Sequence, residues 1–476
     1  MKQQILLCLV LCLSVSLFAK KVDEPTARKV AVNWFNETAG EMKYPLSAIS
    51  EVFYETKGDD VLLYIFNISK DGFIIIPADD NVRPVLGWSM ENPYQLENHP
   101  PQFDYFLRMY KEAVKLGDDY KEEGVDPIQE WARLSVNPVN FTPQQKERSV
   151  GPLLTSNWHQ GWSWNQYCPV EPDAPWWCNS HCPVGCVATA MAQIMYYWKY
   201  PNSGEGSNGY NSGYGYLSAN FGNANYIWSE MEDYNGSTAS ALLCYHCGIS
   251  VNMDYGYNGS GAYSEDVDNA FQDHFRYHND VIFKNRYSNY TDWVNLLIGD
   301  LELGRPIYYS GIEPGAPWGH AWVVDGYSSG DVFHVNYGHG GGSNGWYSIA
   351  NVPTYTDGHD AVVYIYPEIP TDLVLASANT TGTYTAYNSI TMNPGFTTGT
   401  ATFVGQIFEP NKGANLKVLF NGITISEFEI SKDYTSVYPD LWNGCDSSGK
   451  KVEPGEYQYI IYNNDMEIKH GYFSFK

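Results

Sequence analysis

After Gly185 the chain reads Cys186-Val-Ala-Thr-Ala-Met-Ala-Gln-Ile-Met-Tyr-Tyr-Trp198, nearly uncharged and rich in Ala and Met, with a stop signal at Pro201. Such residues favour helix, and a helix apolar on almost every side must be enclosed by the rest of the protein. The run therefore predicts a buried helix around which the fold is built. Cys186 falls at its amino end, where unpaired backbone N–H groups and the macrodipole favour an anion. That setting lowers a thiol pKa and turns the sulfur into a nucleophile. An isolated Gly-Cys pair is also what a buried or disulfide-bonded cysteine looks like, so the reading needs further context.

A second string, Trp318-Gly319-His320-Ala321-Trp322-Val323-Val324-Asp325-Gly326-Tyr327, reads as a loop feeding a strand with His320 at its start. A thiol needs an imidazole placed beside it on a rigid element as its general base. A lone strand histidine is equally a satisfied structural residue. What singles out His320 is its place about 130 residues downstream of a helix-start cysteine, the papain-type order. Upstream lies Gly151-Pro-Leu-Leu-Thr-Ser-Asn-Trp158-His-Gln160-Gly161. A side-chain amide such as that of Gln160, together with the N–H of the nucleophile, makes a two-point oxyanion site. The joint order of Gln, helix-start Cys and strand-start His carries the weight.

Composition sets the surroundings. The 476 residues predict two to four folded units, and 28 Lys+Arg against 54 Asp+Glu leave a net charge of −26. With no basic run, no nucleic-acid partner is expected. The aromatic content, 39 Tyr, 20 Phe and 15 Trp, excludes a disordered chain. Met1-Lys2 and the apolar run Ile5–Phe18, ending at Ala19, are too short to span a bilayer and predict a signal peptide over residues 1–19. Leu11 before Cys12 argues against a lipidation site. The mature chain is expected to be exported, secreted or held in the periplasm or at the cell surface, with no membrane-spanning segment. Seven cysteines then remain, an odd number, which suggests a free thiol beside a structural disulfide among Cys168, Cys178, Cys182, Cys244 and Cys247 of open connectivity. Cys244-Tyr-His-Cys247 lacks a second well-spaced Cys/His pair, so no metal site is expected.

Three regions follow the signal segment. In residues 20–148, Ala27, Val30, Ala31, Trp34 and Phe35 form one face of a helix. The runs Val61–Ile68 and Gly72–Pro77 and the string Val85-Leu86-Gly87-Trp88 are β-type, and a second helix is expected over Gln102–Lys115. This region has no Cys and a single His, His99, so it serves as a helper domain, and its polar end, residues 142–149, reads as a cleavable linker. Residues 149–368 hold nearly all the histidines. Residues 369–476 alternate β-formers with turn residues and predict a small antiparallel β-sandwich.

The strings Pro152-Leu-Leu…Trp158-x-Gln160-Gly161, Gly185-Cys186-Val-Ala-Thr-Ala-Met-Ala-Gln-Ile-Met195 and Gly319-His320-Ala-Trp-Val-Val-Asp-Gly326 resemble the streptopain family of secreted bacterial cysteine proteases. Gly72-Phe-Ile-Ile-Ile-Pro-Ala-Asp79-Asp80 and Pro84-Val-Leu-Gly-Trp-Ser89 resemble that family's propeptide. The resemblance, over residues 20–365, implies an α+β chain. It implies a papain-like two-lobed protease domain preceded by an inhibitory α+β prodomain, with the expected β-sandwich to follow. It implies endopeptidase activity on proteins or peptides without a cofactor, with the prodomain as intramolecular inhibitor. Carried over by position, Cys186 is the nucleophile, His320 the general base and acid, and Gln160 the oxyanion donor.

One string departs from the family. Where it has Asn-Trp-Gly-Trp-Gly-Gly, this chain has Asn336-Tyr337-Gly338-His339-Gly340-Gly341. Tyr337 is a candidate shield for His320, but its hydroxyl needs a partner. Asn336 is a candidate orienter of His320, although strand alternation puts it on the face opposite Val335 and Tyr337. Gly340–Gly345 reads as a flexible loop near the cleft. Leu441–Tyr457 resembles the final hairpin of immunoglobulin-like domains on exported bacterial proteins, suited to attachment, sorting or substrate contact. The altered tryptophans and this added domain motivate a second reading, a protease-like fold that binds peptide or a surface without cutting. A third reading, acyl transfer to an amine, uses the same residues.

Overall fold

The computed structural model describes residues 21–40, 44–70, 72–97, 99–116, 127–143, 149–286, 289–312, 319–329, 331–349 and 358–367. In the C-terminal stretch it describes 372–375, 383–386, 389–392, 402–405, 415–420, 423–429, 450, 455–463 and 466–475. The expected signal segment, most of the 142–149 linker, Cys445 and most of the 441–457 hairpin lie outside them. The chain divides into two compact units. One runs up to Arg276 and includes Asp280–Leu301 and Pro306–Ile365; the other comprises Tyr277–Asn279, Glu302–Arg305 and the chain from Tyr366 onward.

The first unit opens with α1 (Glu24–Ala39), capped by the Asp23 carboxylate on the N–H of Thr26 and ended by Gly40 at φ 70°, whose N–H reaches back to Asn36 and Glu37. Its face Ala27, Val30, Ala31, Trp34 and Phe35 is buried, as the periodicity predicts. Strands β1 (Ile49–Lys57), β2 (Asp60–Ile68), β3 (Gly72–Pro77) and β4 (Gly87–Ser89) follow as an antiparallel meander. β2 and β3 are buried on both faces, and alternation divides their side chains between two cores. Tyr64, Phe66, Ile74 and Ile76 join α1 in one. Leu63, Ile65, Phe73 and Ile75 join Phe103, Phe106, Met109 and Tyr110 of α2 (Pro101–Leu116) in the other. Burying each such side chain contributes about 1.5–3 kcal/mol. α3 (Pro127–Leu134) closes this region.

The remaining elements of the unit are α4 (Cys186–Trp198), β5 (Ser207–Ser212), β6 (Gly215–Asn220), α5 (Thr238–Ser250), α6 (Val267–Phe275), β7 (Ile282–Asn285) and α7 (Tyr290–Glu302). They are followed by β8 (Ile307–Ile312), β9 (Gly319–Ser329), β10 (Val332–Asn336), β11 (Gly345–Ser348) and β12 (His359–Val363). α4 packs against α5 on one side and β9 on the other, which satisfies its apolar circumference.

The N-terminal meander and the later strands form a single sheet, in the order β1-β2-β3-β4-β11-β10-β9-β8-β12-β7. The join is the antiparallel pair β4–β11, with Trp88 opposite Trp346 and Gly87 opposite Tyr347. Gly87 is required there, because a Cβ would lie 2.6 Å from the Tyr347 ring. The α2 core continues across the join to Trp322, Val324, Val335, Tyr337 and Tyr347. Two ion pairs of opposite sense also cross it. Arg83 meets Asp331 at 2.6 Å, and Glu91 meets His334 Nε2 at 2.7 Å. His334 Nδ1 contacts Asp325 at 2.5 Å. Burial opposes charge on this imidazole, yet the carboxylates of Asp325 and Glu91 raise its pKa to about 10.

The second unit carries β13 (Asp372–Leu375), β14 (Thr383–Ala386), β15 (Ser389–Met392), β16 (Thr402–Gly405), β17 (Asn415–Phe420), β18 (Ile423–Glu429), β19 (Gly455–Asn463) and β20 (Met466–Phe475). β18-β17-β19-β20 form an antiparallel sheet, as the alternation predicts. β13–β15 and β14–β16 pair parallel, which the antiparallel expectation did not include. Among the described residues no helix is long and apolar enough to cross a membrane. The disulfide expected among the middle cysteines is absent: Cys168, Cys178, Cys182, Cys186, Cys244 and Cys247 are all free thiols.

Candidate active site

Of these six cysteines, five are buried and Cys186 alone keeps some exposure. It is the first residue of α4, as the sequence predicts. The preceding Gly185 holds φ 92° and provides no side-chain cap, so the first N–H groups of the helix stay open toward the sulfur. A Cβ on Gly185 would lie 2.8 Å from Met253, so the turn admits only glycine without rearrangement. The expected low thiol pKa is not seen. Burial pushes the Cys186 thiol up, and this outweighs the main-chain groups of Ala321, Val187 and Cys186 itself, which favour the thiolate.

His320 is the second residue of β9, opposite Gly311 of β8. The contact between the sulfur and the main chain of Ala321 brings β9 to the start of α4 one residue from the imidazole. Burial lowers the His320 pKa to about 4, opposed only by the main chain of Tyr337, and its Nε2 is buried without a hydrogen-bond partner. Burial thus disfavours charge on both groups. The same strand is covered by the N-terminal region: His320 shares a face with Trp322, whose ring lies 6.3 Å from Phe106 of α2. Two strands along the sheet, on β12, His359 Nε2 lies 2.8 Å from the Tyr105 hydroxyl of α2.

Gln160 is brought to the same place by its main chain, whose carbonyl accepts the N–H of Val184 at 2.9 Å, two residues before Cys186. Its side chain is partly exposed. Asn336 is directed elsewhere. Its amide donates to Ser156 O at 2.7 Å, and its Oδ1 accepts from Gln193 at 3.2 Å and from Gly338 N at 3.1 Å. No hydrogen bond joins it to His320; alternation had already turned it to the other face. Tyr337 is buried with its ring 6.5 Å from Phe103 and 5.8 Å from Tyr347, and its hydroxyl has no partner. The glycine run beyond it is pinned rather than loose. Gly340 N donates to Trp158 O at 3.0 Å, Asn344 to Asn157 at 2.9 Å, and Asn92 of the N-terminal region to Gly341 O at 3.0 Å.

The residue that sequence reading missed is Gln193. From inside α4 its Oε1 accepts from Ser156 Oγ at 3.0 Å and Trp158 N at 3.2 Å, while its amide holds Asn336. It ties the segment carrying Gln160 to the end of β10. A side-chain amide in a helix predicted to be buried has to be hydrogen-bonded, and that signal was available.

Comparisons with known proteins place the chain in a family. The Peptidase C10 family model matches residues 158–347, and that of the Spi protease inhibitor matches residues 19–114. The chain is 29% identical over 354 residues to the thiol protease/hemagglutinin PrtT of Porphyromonas gingivalis; the match takes 71% of this chain but only 39% of that relative. It is 31% identical over 311 residues to streptopain of Streptococcus pyogenes, covering 60% of this chain and 73% of streptopain. A fragment of Prevotella intermedia prointerpain A, carrying a cysteine-to-alanine substitution, superposes with a TM-score of 0.53 at 28% identity over 67% of this chain and 99% of the fragment. With its helix-start cysteine, its strand-start histidine and an N-terminal region of the Spi inhibitor type, the chain belongs to the Peptidase C10 family.

Proposed function

We propose that this protein is an exported cysteine endopeptidase made as a latent precursor, in which residues 20–148 restrain the peptidase over 149–368. The observation that carries the reading is the convergence on Cys186 of three things: an uncapped helix start, the Gln160 segment bonded to Val184, and the β9 main chain beside His320. With the N-terminal region released, water returns to the site and relieves the burial that disfavours charge on both groups. His320 then takes the thiol proton and the thiolate attacks the scissile carbonyl. Gln160 and the N–H of Cys186 stabilise the oxyanion, and the imidazolium protonates the leaving amine before water releases the acyl-enzyme. Asn336, bonded to Ser156 and Gln193 rather than to His320, positions the segment carrying Gln160 in this scheme, and the C-terminal unit, read as immunoglobulin-like, serves attachment or substrate contact.

The test is to incubate the purified protein under reducing conditions, sequence any new N-terminus, and treat it with iodoacetamide. Cleavage within 142–149, labelling of Cys186 and casein hydrolysis, all lost in Cys186→Ala, are expected. The burial that disfavours charge on Cys186 and His320 favours the second reading, a peptide-binding protein of protease-like fold. That reading prevails if the processed protein is neither labelled at Cys186 nor active while peptide binding survives Cys186→Ala.

A further inference from the structure

Directly after Gln160 the chain builds an aromatic ledge. Gly161 lies so close to Trp177 that a Cβ there would be 2.6 Å from the indole, and the N–H of Trp162 donates to the Trp177 carbonyl at 3.0 Å. The Trp162 ring sits 5.9 Å from that of His181, and a β-bridge from His181 to Val170 continues the surface. Behind the ledge, the amide of Asn165 donates to the carbonyls of Cys178 and Cys182 at 2.9 and 3.2 Å. This braces a turn in which Asn179 and Ser180 hold φ of 51° and 59°. The loop is fixed, yet its large apolar side chains face water: Trp176 is 91% exposed, Val170 67%, Trp162 45% and Trp177 40%. Indoles left uncovered on a braced loop mark a surface that something else covers.

The position of the ledge names the occupant. It begins one residue after Gln160, whose carbonyl is bonded two residues before Cys186. A polypeptide lying across Cys186 with its carbonyl toward Gln160 advances at most about 3.6 Å per residue, so a side chain close to the scissile bond meets the indoles. We propose that Trp162, Trp176 and Trp177 form a specificity subsite for a bulky apolar or aromatic side chain of the substrate polypeptide. This inference rests on the peptidase reading above.

The experiment uses the full chain after maturation and pairs of peptides that differ only by Phe or Ala at one position, scanned across both sides of the scissile bond. At one position the wild type prefers Phe by about tenfold or more in kcat/KM, the scale an apolar pocket supplies. In Trp162→Ala/Trp176→Ala the preference falls to about twofold or less. The Phe replacements at both sites keep most of the discrimination. An undiminished preference in the double Ala variant overturns the subsite while leaving the peptidase reading intact. Cleavage of no peptide by the wild type overturns the peptidase reading and the subsite with it.

Discussion

Replacing His334 by Leu removes the only cation between two carboxylates, and its cost can be worked from the geometry. His334 is buried, with Asp325 at 2.5 Å on one ring nitrogen and Glu91 at 2.7 Å on the other. Its pKa of about 10 stands against an ordinary value of 6.5, a difference of about 3.5 pH units, equivalent to about 5 kcal/mol. Stranding one partner of a buried pair costs about 3–5 kcal/mol by independent measure, so a loss of about 4 kcal/mol is expected. Most of it comes from Asp325, whose side chain is wholly buried, whereas Glu91 is a third exposed and recovers its hydration. Glu91→Gln should therefore cost only about 1 kcal/mol. The sign with pH follows from a folded pKa above the unfolded one. The contribution is complete below about pH 6.5 and disappears as pH rises through about 10. Urea unfolding followed by tryptophan fluorescence reads both effects. At pH 7 the His334→Leu midpoint should fall by roughly 1.3 M for a slope of about 3 kcal/mol/M, and the gap to wild type should close toward pH 10. His334→Leu/Asp325→Asn keeps an acceptor for the N–H of Leu154, which Asp325 now bonds at 2.9 Å, and should regain about half the loss. A single variant within 1 kcal/mol of wild type, or a double no better than the single, would refute the reasoning.

Other substitutions test the site piece by piece. Tyr337→Phe removes a buried hydroxyl without a partner and should be neutral or stabilise by about 1 kcal/mol in thermal denaturation; a clear loss would mean that the hydroxyl is bonded. Gln193→Leu breaks bonds to Ser156, Trp158 and Asn336 and should cost about 2–3 kcal/mol in the same assay. It should also lower kcat more than it changes KM once the chain is processed. Gly185→Ala places a side chain at φ 92° against Met253, so peptide hydrolysis should drop at least about tenfold while the far-UV spectrum is retained. In the unprocessed chain, where burial raises the Cys186 thiol, alkylation by iodoacetamide should be slow at pH 7 and quicken above pH 9. Fast labelling at neutral pH before processing would contradict the raised thiol.

The local grammar of the chain was legible without its fold. An uncharged run before Pro201 placed α4 within the observed bounds, and apolar spacing placed α1 and α2. A loop feeding Ala-Trp-Val-Val placed His320 at a strand entrance. Each depends on residues a few positions apart, where periodicity and turn chemistry act directly. What the sequence left undecided depends on partners hundreds of residues away. Glu91 and His334 are separated by 243 positions, and nothing near either predicts the meeting. Likewise, short β4 joins β11 and makes the N-terminal meander continuous with the sheet that carries His320. The ionisation of the central thiol shows the division most plainly. The helix start was written in the chain and does favour the anion, but the desolvation that overrides it comes from side chains assembled around the sulfur, and only the tertiary structure sets how much water they exclude.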